Sequence, residues 1–236
     1  MKVAIMQPYF LPYIGYFQLI NAVDKFVIYD NIQYTKKGWI NRNRILLNGK
    51  DVFITLPLLR DSDYSDIKDR KLADNFALFA QKQRRMVEQA YRKAPHFKTG
   101  MAVYDLIMTF DDFNLFYFIY NSVFKICQFL DIHTEIIISS TLPVNSDLRG
   151  ANKVMSICKA LQGDVYVNPI GGIELYQNSE FMANGILLQF LKPNEIQYLQ
   201  FQNKFVPWLS IIDLIMFNSV ERIRNEYLLN YSILKV

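Results

Sequence analysis

Two short apolar runs near the start of the chain stop at polar or helix-breaking residues. Lys2–Met6 ends at Gln7-Pro8 and Lys25–Tyr29 ends at Asp30, and both predict buried strands. Gly15–Val23 between them supplies two helical turns, so the first thirty residues predict strand, loop, helix, strand. Arg44–Leu47 and Asp51–Leu56 then flank Asn48-Gly49, the strongest short signal for a two-residue β-hairpin.

The middle of the chain changes to a helical period. Leu72–Lys93 places Phe76, Phe79, Ala80, Gln83, Met86, Val87 and Ala90 near the 3.6 spacing, and Pro95 ends it. Met101–Phe110 predicts a second helix. Asp112–Leu130 predicts a third, with Phe113, Phe116, Tyr117, Tyr120, Phe124, Cys127 and Leu130 expected to face the core. Alternation then returns: a strand over Thr134–Ile138, a helix over Gly150–Leu161, a strand over Asp164–Asn168, a turn at Gly171-Gly172 and a strand over Gly185–Leu191. Trp208–Asn218 and Glu221–Leu229 close the chain as helices. This order predicts the α/β class. We expect one three-layer, Rossmann-like domain over residues 1–236, with a mostly parallel sheet, a β-hairpin and a helical insertion at about residues 72–131.

Composition narrows the function classes. Hydrophobic residues make up 51% of the 236 and charged residues 20%, a balance that supports a large core. The two cysteines, Cys127 and Cys158, sit in helical apolar patterns and read as buried free thiols. With no leader-like opening and no uncharged run approaching the roughly 20 residues of a membrane span, the expected setting is the cytoplasm, with no span. The net charge of +4 is a mild excess, well short of the usual nucleic-acid footprint. His96 and His133 are the only histidines and read as surface residues, so no His/Cys set for zinc is expected.

Candidate chemistry concentrates after the strands, because in open α/β sheets the ligand crevice lies outside their carboxyl ends. The first such segment carries Gln7 and Tyr9, with Tyr13 and Tyr16 opening the next helix. The second carries Asp30 and then QYTKKGWINRNR, residues 33–44, in which Gln33, Tyr34, Lys36, Trp39, Asn41, Arg42 and Asn43 mix cations, amides and rings. A solvated loop gains nothing from an exposed indole, whereas a site gains stacking area and fixed charge. This inventory suits a phosphorylated sugar or nucleotide. Single-stranded nucleic acid is disfavoured because the other basic residues are scattered or paired with acids, as in DSDYSDIKDRK. A third segment supplies Asn168, Gly171 and Gly172. Asp30 and Lys36 are candidate catalytic groups, and so is Asp213, an acid inside the apolar LSIIDLIMFN flanked by Ser210 and Asn218. No cofactor is obligatory in this reading. Any metal would be Mg²⁺ held by carboxylates and substrate phosphates.

Four blocks, MQPYFLPYIGYFQLI, FVIYDNIQYTKKGWINRNRI, VYVNPIGG and FVPWLSIIDLIMFNS, span nearly the whole chain and resemble the WbqC-like protein family. The resemblance implies a genetic setting in O-antigen and other surface-polysaccharide synthesis. A second likeness is local. Tyr13-Ile14-Gly15-Tyr16 sits where the HxGH motif of nucleotidylyltransferases lies, with tyrosines in place of both histidines. That implies a Rossmann-like fold without that family's charged pair. The combined expectation is a group transferase, of acyl, aminoacyl or nucleotidyl type, acting on a nucleotide-activated aminosugar. The alternative is a non-catalytic binding protein for such a precursor.

Overall fold

The computed structural model describes residues 1–62 and 64–235. In chain order the elements are β1 (Lys2–Met6), α1 (Ile14–Asn21), β2 (Lys25–Ile28), the hairpin strands β3 (Arg42–Leu47) and β4 (Lys50–Thr55), then helices α2 (Phe76–Tyr91), α3 (Phe97–Met108) and α4 (Leu115–Leu130). They are followed by β5 (Glu135–Ile138), α5 (Gly150–Ala160), β6 (Val165–Pro169), α6 (Asn178–Ala183), β7 (Leu187–Pro193), α7 (Ile211–Phe217), α8 (Val220–Arg222) and β8 (Tyr231–Lys235).

Six strands form the central sheet in the order β5-β2-β1-β6-β7-β8, while β3 and β4 pair separately. The first five are parallel, and β8 runs antiparallel against β7. The chain moves outward from β1 through β2 to β5, recrosses to β6 and then builds in the other direction. The connections leaving β1 and β6 therefore diverge, which opens a crevice at the carboxyl edge between those two strands.

Side-chain alternation covers both faces. Val3, Ile5, Val27, Tyr166, Leu188 and Phe190 pack with Val154, Ile157 and Cys158 of α5 and Phe181 of α6. Ala4, Phe26, Ile28, Val167 and Leu191 point the other way, into a larger core shared by α1, the hairpin, α2 to α4 and α7. Successive strand residues alternate between faces, so a parallel strand covered on both sides must be apolar throughout. That is why the strands read as unbroken apolar runs.

Three expectations change. On α4, Phe113 just before the helix, Tyr117 and Phe124 are exposed, and the buried stripe is Leu115, Phe116, Ile119, Val123, Ile126, Cys127 and Leu130. The helix is apolar almost all round, so its periodicity fits two faces and only packing selects between them. The helix expected over 221–229 is the short α8 followed by a π-helical turn over Ile223–Tyr227. Finally, β8 and α6 were not legible as elements. β8 exists by pairing with β7, a partner some 40 residues earlier, and no local pattern announces it. Among the described residues, no helix is long and apolar enough to cross a membrane.

Candidate functional site

A cleft of about 660 Å³ opens at the carboxyl ends of β1, β2, β6 and β7. Gln7, Tyr9, Tyr13, Gly15 and Tyr16 supply one wall, Tyr29 and Gln33 a second, and Asn168, Gly171 and Gly172 a third. The fourth is the start of α5, with Arg149, Gly150 and Lys153.

Local sequence explains each wall. Pro8 and Pro12 keep the chain after β1 out of helix, and Asn43 fixes the bend by donating from Nδ2 to the Leu11 and Phe10 carbonyls at 2.8 and 3.1 Å. Leu11 there takes a left-handed φ of 44°. Helix α1 then starts at Ile14, and Tyr16 donates its hydroxyl to the Gln7 carbonyl at 2.9 Å. The Tyr13 ring lies so close over Gly15 that a Cβ there would stand 2.3 Å from it.

The glycine pair divides its labour. A Cβ on Gly172 would meet Asn168 Nδ2 at 2.0 Å, whereas nothing lies within 4 Å of one on Gly171. Gly172→Ala is expected to cost about 1–3 kcal/mol by forcing Asn168 aside. Gly171→Ala should leave the melting temperature unchanged. Paired thermal melts check this, and equal losses from both would defeat it.

Charge in the cleft is one-sided. Its only charged lining residues among those described are Arg149 and Lys153. Lys153 is 4% exposed, and its Nζ donates to the carbonyl and to Oδ1 of Asn31, both at 3.1 Å, while lying 5.1 Å from the centre of the Tyr29 ring. Burial pushes the Lys153 amine below its ordinary lysine value, and Arg149 adds to that. Both α1 and α5 present N-termini without a side-chain cap, so their first amides and positive dipole ends face the same cleft. Such an arrangement suits an anion.

The residues predicted from sequence divide into three groups. Gln7, Tyr9, Tyr13, Tyr16, Gln33, Asn168, Gly171 and Gly172 line the cleft. Asp30 lies behind its wall, 3% exposed, with Oδ1 accepting from Ser139 Oγ at 2.8 Å and from the Ser140 amide at 2.9 Å. The third group serves the scaffold or a neighbouring surface. Tyr34 donates to Asn41 Oδ1, and Asn41 donates to the Leu56 carbonyl, tying the 33–41 loop to β4. Arg42, expected to converge with Lys36 and Asp30 on one crevice, does not line it. Its guanidinium donates to the Gly38 and Lys37 carbonyls and stacks over Phe53. Lys36 is exposed and also lies off the cleft wall. Side chains alternate along β3, and Arg42 leaves on the face opposite Asn43.

Asp213 is likewise a buried structural junction. Its Oδ1 accepts from Tyr91 at 2.7 Å, and its Oδ2 accepts from Tyr198 at 2.6 Å and Gln200 at 2.9 Å. Burial raises its pKa and those donors oppose the rise. Ser210 caps α7 by accepting from the Ile212 amide, and Asn218 accepts from Tyr227. None of the three lines the cleft. Cys127 and Cys158 are buried and free, both pushed up to about 12 by burial. Among the described residues, no group of three or more His, Cys, Asp or Glu could hold a metal ion.

Sequence reasoning missed Arg149, Gly150 and Lys153. The signal was present in RGANK at the start of a predicted helix, but only the sheet order shows that this helix begins beside β1 and β2.

Fold and site together define an α/β protein whose mostly parallel sheet carries, at its carboxyl edge, a cleft with Arg149 and Lys153 on its lining. The chain belongs to the WbqC-like protein family, whose sequence model matches residues 7–225. It is also similar to "Uncharacterized protein Rv1507c" of Mycobacterium tuberculosis, 41% identical over 96 residues, a match that spans 41% of this chain and 41% of that protein's length. No solved structure matches.

Proposed function

We propose that the chain binds a nucleotide-activated sugar, with its phosphates in the cleft, and transfers a group to or from it during surface-polysaccharide synthesis. The observation that carries this reading is the pair of cations, Arg149 and Lys153, set among two uncapped helix N-termini with no acid on the lining. The strand order adds support. Counted along the sheet it is 3-2-1-4-5-6, the order of doubly wound nucleotide-binding domains, and it supports a Rossmann-like reading with an antiparallel last strand. The surface-glycan setting comes from what the family resemblance implies.

Transfer at such a site works by positioning and electrostatics. Arg149 and Lys153 hold the phosphates, Asn168 and the Gly171-Gly172 backbone shape the opposite wall, and the lowered pKa lets Lys153 release a proton more readily than an exposed lysine. A non-catalytic binding protein is the second reading. It is favoured by Tyr16, which stands in place of a motif histidine and spends its hydroxyl on the Gln7 carbonyl.

Calorimetric titration with pyrophosphate and a panel of nucleotide sugars tests the site. Saturable binding is expected. Arg149→Ala should weaken it about tenfold, the loss of one charge-assisted contact of roughly 1.5 kcal/mol. Arg42→Ala should leave it within about twofold, because that side chain serves its own loop. No binding by any member of the panel would remove the proposal. Incubation with acyl or aminoacyl donors separates the readings, since product formation requires the transferase and tight binding without product favours the binder.

A further inference from the structure

The chain has two tryptophans, Trp39 and Trp208, 169 positions apart, and both border one groove of about 240 Å³ beside the cleft. They are 41% and 53% exposed, an unusual state for the largest apolar side chains of a protein with ample core. Trp208 also holds a left-handed φ of 60°, a conformation unfavourable to a bulky residue. The Trp208 ring meets Tyr13 edge-on at 5.6 Å, Trp39 stacks against Phe53 at 6.1 Å, and the Arg44 guanidinium lies 5.5 Å from the Trp39 ring.

The polar edges of these rings are unspent. Among the described residues, the indole N–H groups of Trp39 and Trp208 and the hydroxyls of Tyr9 and Tyr13 make no hydrogen bond to protein. The rim is therefore dominated by donors around aromatic faces. Tyr9 and Tyr13 belong to both the groove and the phosphate-receiving cleft, so they stand as a shared wall between them.

We infer that this groove is a second ligand subsite that takes a saccharide ring, the other partner of the proposed transfer. A sugar ring offers C–H faces that pack on aromatic surfaces and a periphery of oxygens that accept from indole, phenol and guanidinium donors. The volume of about 240 Å³ suits one residue of a glycan. The inference rests on the cleft holding the activated partner, because the Tyr9 and Tyr13 wall then sets the two reactants side by side.

Both tryptophans line the groove, so intrinsic tryptophan emission reports on it. Methyl glycosides of glucose, N-acetylglucosamine and glucuronate are titrated while emission is followed, with pyrophosphate titrated separately by calorimetry. At least one glycoside should shift or quench emission saturably. Trp208→Gly should weaken that binding at least tenfold, read through Trp39, with the relief of the left-handed φ offsetting part of the stability lost with the ring's contact to Tyr13. Tyr13→Phe keeps the ring, removes one donor and should weaken it less. No saturable glycoside response, undiminished affinity in Trp208→Gly, or a response to uridine but to no glycoside would each overturn the subsite. Pyrophosphate binding that survives such a result leaves the cleft standing, and glycoside binding without pyrophosphate binding removes the cleft and keeps the groove.

Discussion

Replacing Lys153 with methionine is expected to weaken binding of phosphorylated ligands at least about tenfold while leaving the protein at least as stable as before. The lysine is buried, its hydrogen bonds go to two neutral oxygens of Asn31 and its amine lies over the Tyr29 ring, so among the described residues no carboxylate pairs directly with its charge. Holding a charge there costs desolvation energy that the more distant Asp66 and Asp30 offset in part and that an anion in the cleft would return further. Asn31 takes two of the three Nζ donors, and the one charge-assisted hydrogen bond left for phosphate is worth about 1.5–3 kcal/mol, so affinity should fall by at least about tenfold. Methionine fills the same space without the charge.

Stability should respond to pH with a definite sign. The folded-state pKa of Lys153 lies below its ordinary value of 10.5, so its favourable contribution is present above that value and is lost as pH falls through the folded value. At neutral pH, Lys153→Met should therefore melt at or above the parent temperature, and the gap should close as the pH is raised toward 10.5. Calorimetric titration and pH-dependent melts measure the two halves. A variant that binds pyrophosphate as well as the parent would remove Lys153 from the site. One that melts well below the parent would make its role structural.

Asp213→Ala should do the reverse, with a large loss of stability and no change in ligand affinity of the folded fraction. The carboxylate is fully buried and joins Tyr91 of α2, Tyr198 and Gln200, while the Tyr91 hydroxyl in turn accepts from the Leu46 amide of β3. Alanine would take the acceptor from the Tyr91 and Tyr198 hydroxyls and one of two acceptors from Gln200 Nε2. The expected cost is about 3–5 kcal/mol, a large part of the stability of an ordinary domain. Urea unfolding followed by circular dichroism gives the number. A cost below about 1 kcal/mol combined with lost turnover would instead make Asp213 a catalytic group.

Asp213 is a single charge in the apolar LSIIDLIMFN and Lys153 shares α5 with Asn152, Ser156 and Lys159, yet folding buries both. What separates them is the company that folding brings. Tyr91 and Tyr198 reach Asp213 from 122 and 15 positions away, whereas Asn31 reaches Lys153 with oxygens only. Burial is legible in a pattern, but the partner of a buried charge is not.

The sequence by itself determined what depends on neighbours along the chain. The strand runs, the hairpin at Asn48 and Gly49, which take φ values of 52° and 76°, and the delayed start of α1 after Pro8 and Pro12 all follow from local sterics and periodicity. So does the placing of Gln7, Asn168, Gly171 and Gly172 at strand ends, where the cleft proved to be. Tertiary structure decided the rest. QYTKKGWINRNR looked like one binding wall, yet folding divided it. Gln33 faces the cleft, Tyr34, Asn41 and Arg42 hold the loop, and Trp39 with Asn43 borders a separate groove. Strand β8 and the entry of α5 into the site arise from contacts between residues far apart in the chain. Periodicity is a property of adjacent residues, and the meeting of Lys153 with β2 or of Trp39 with Trp208 is set only when the sheet order and the packing of its two faces bring distant segments together.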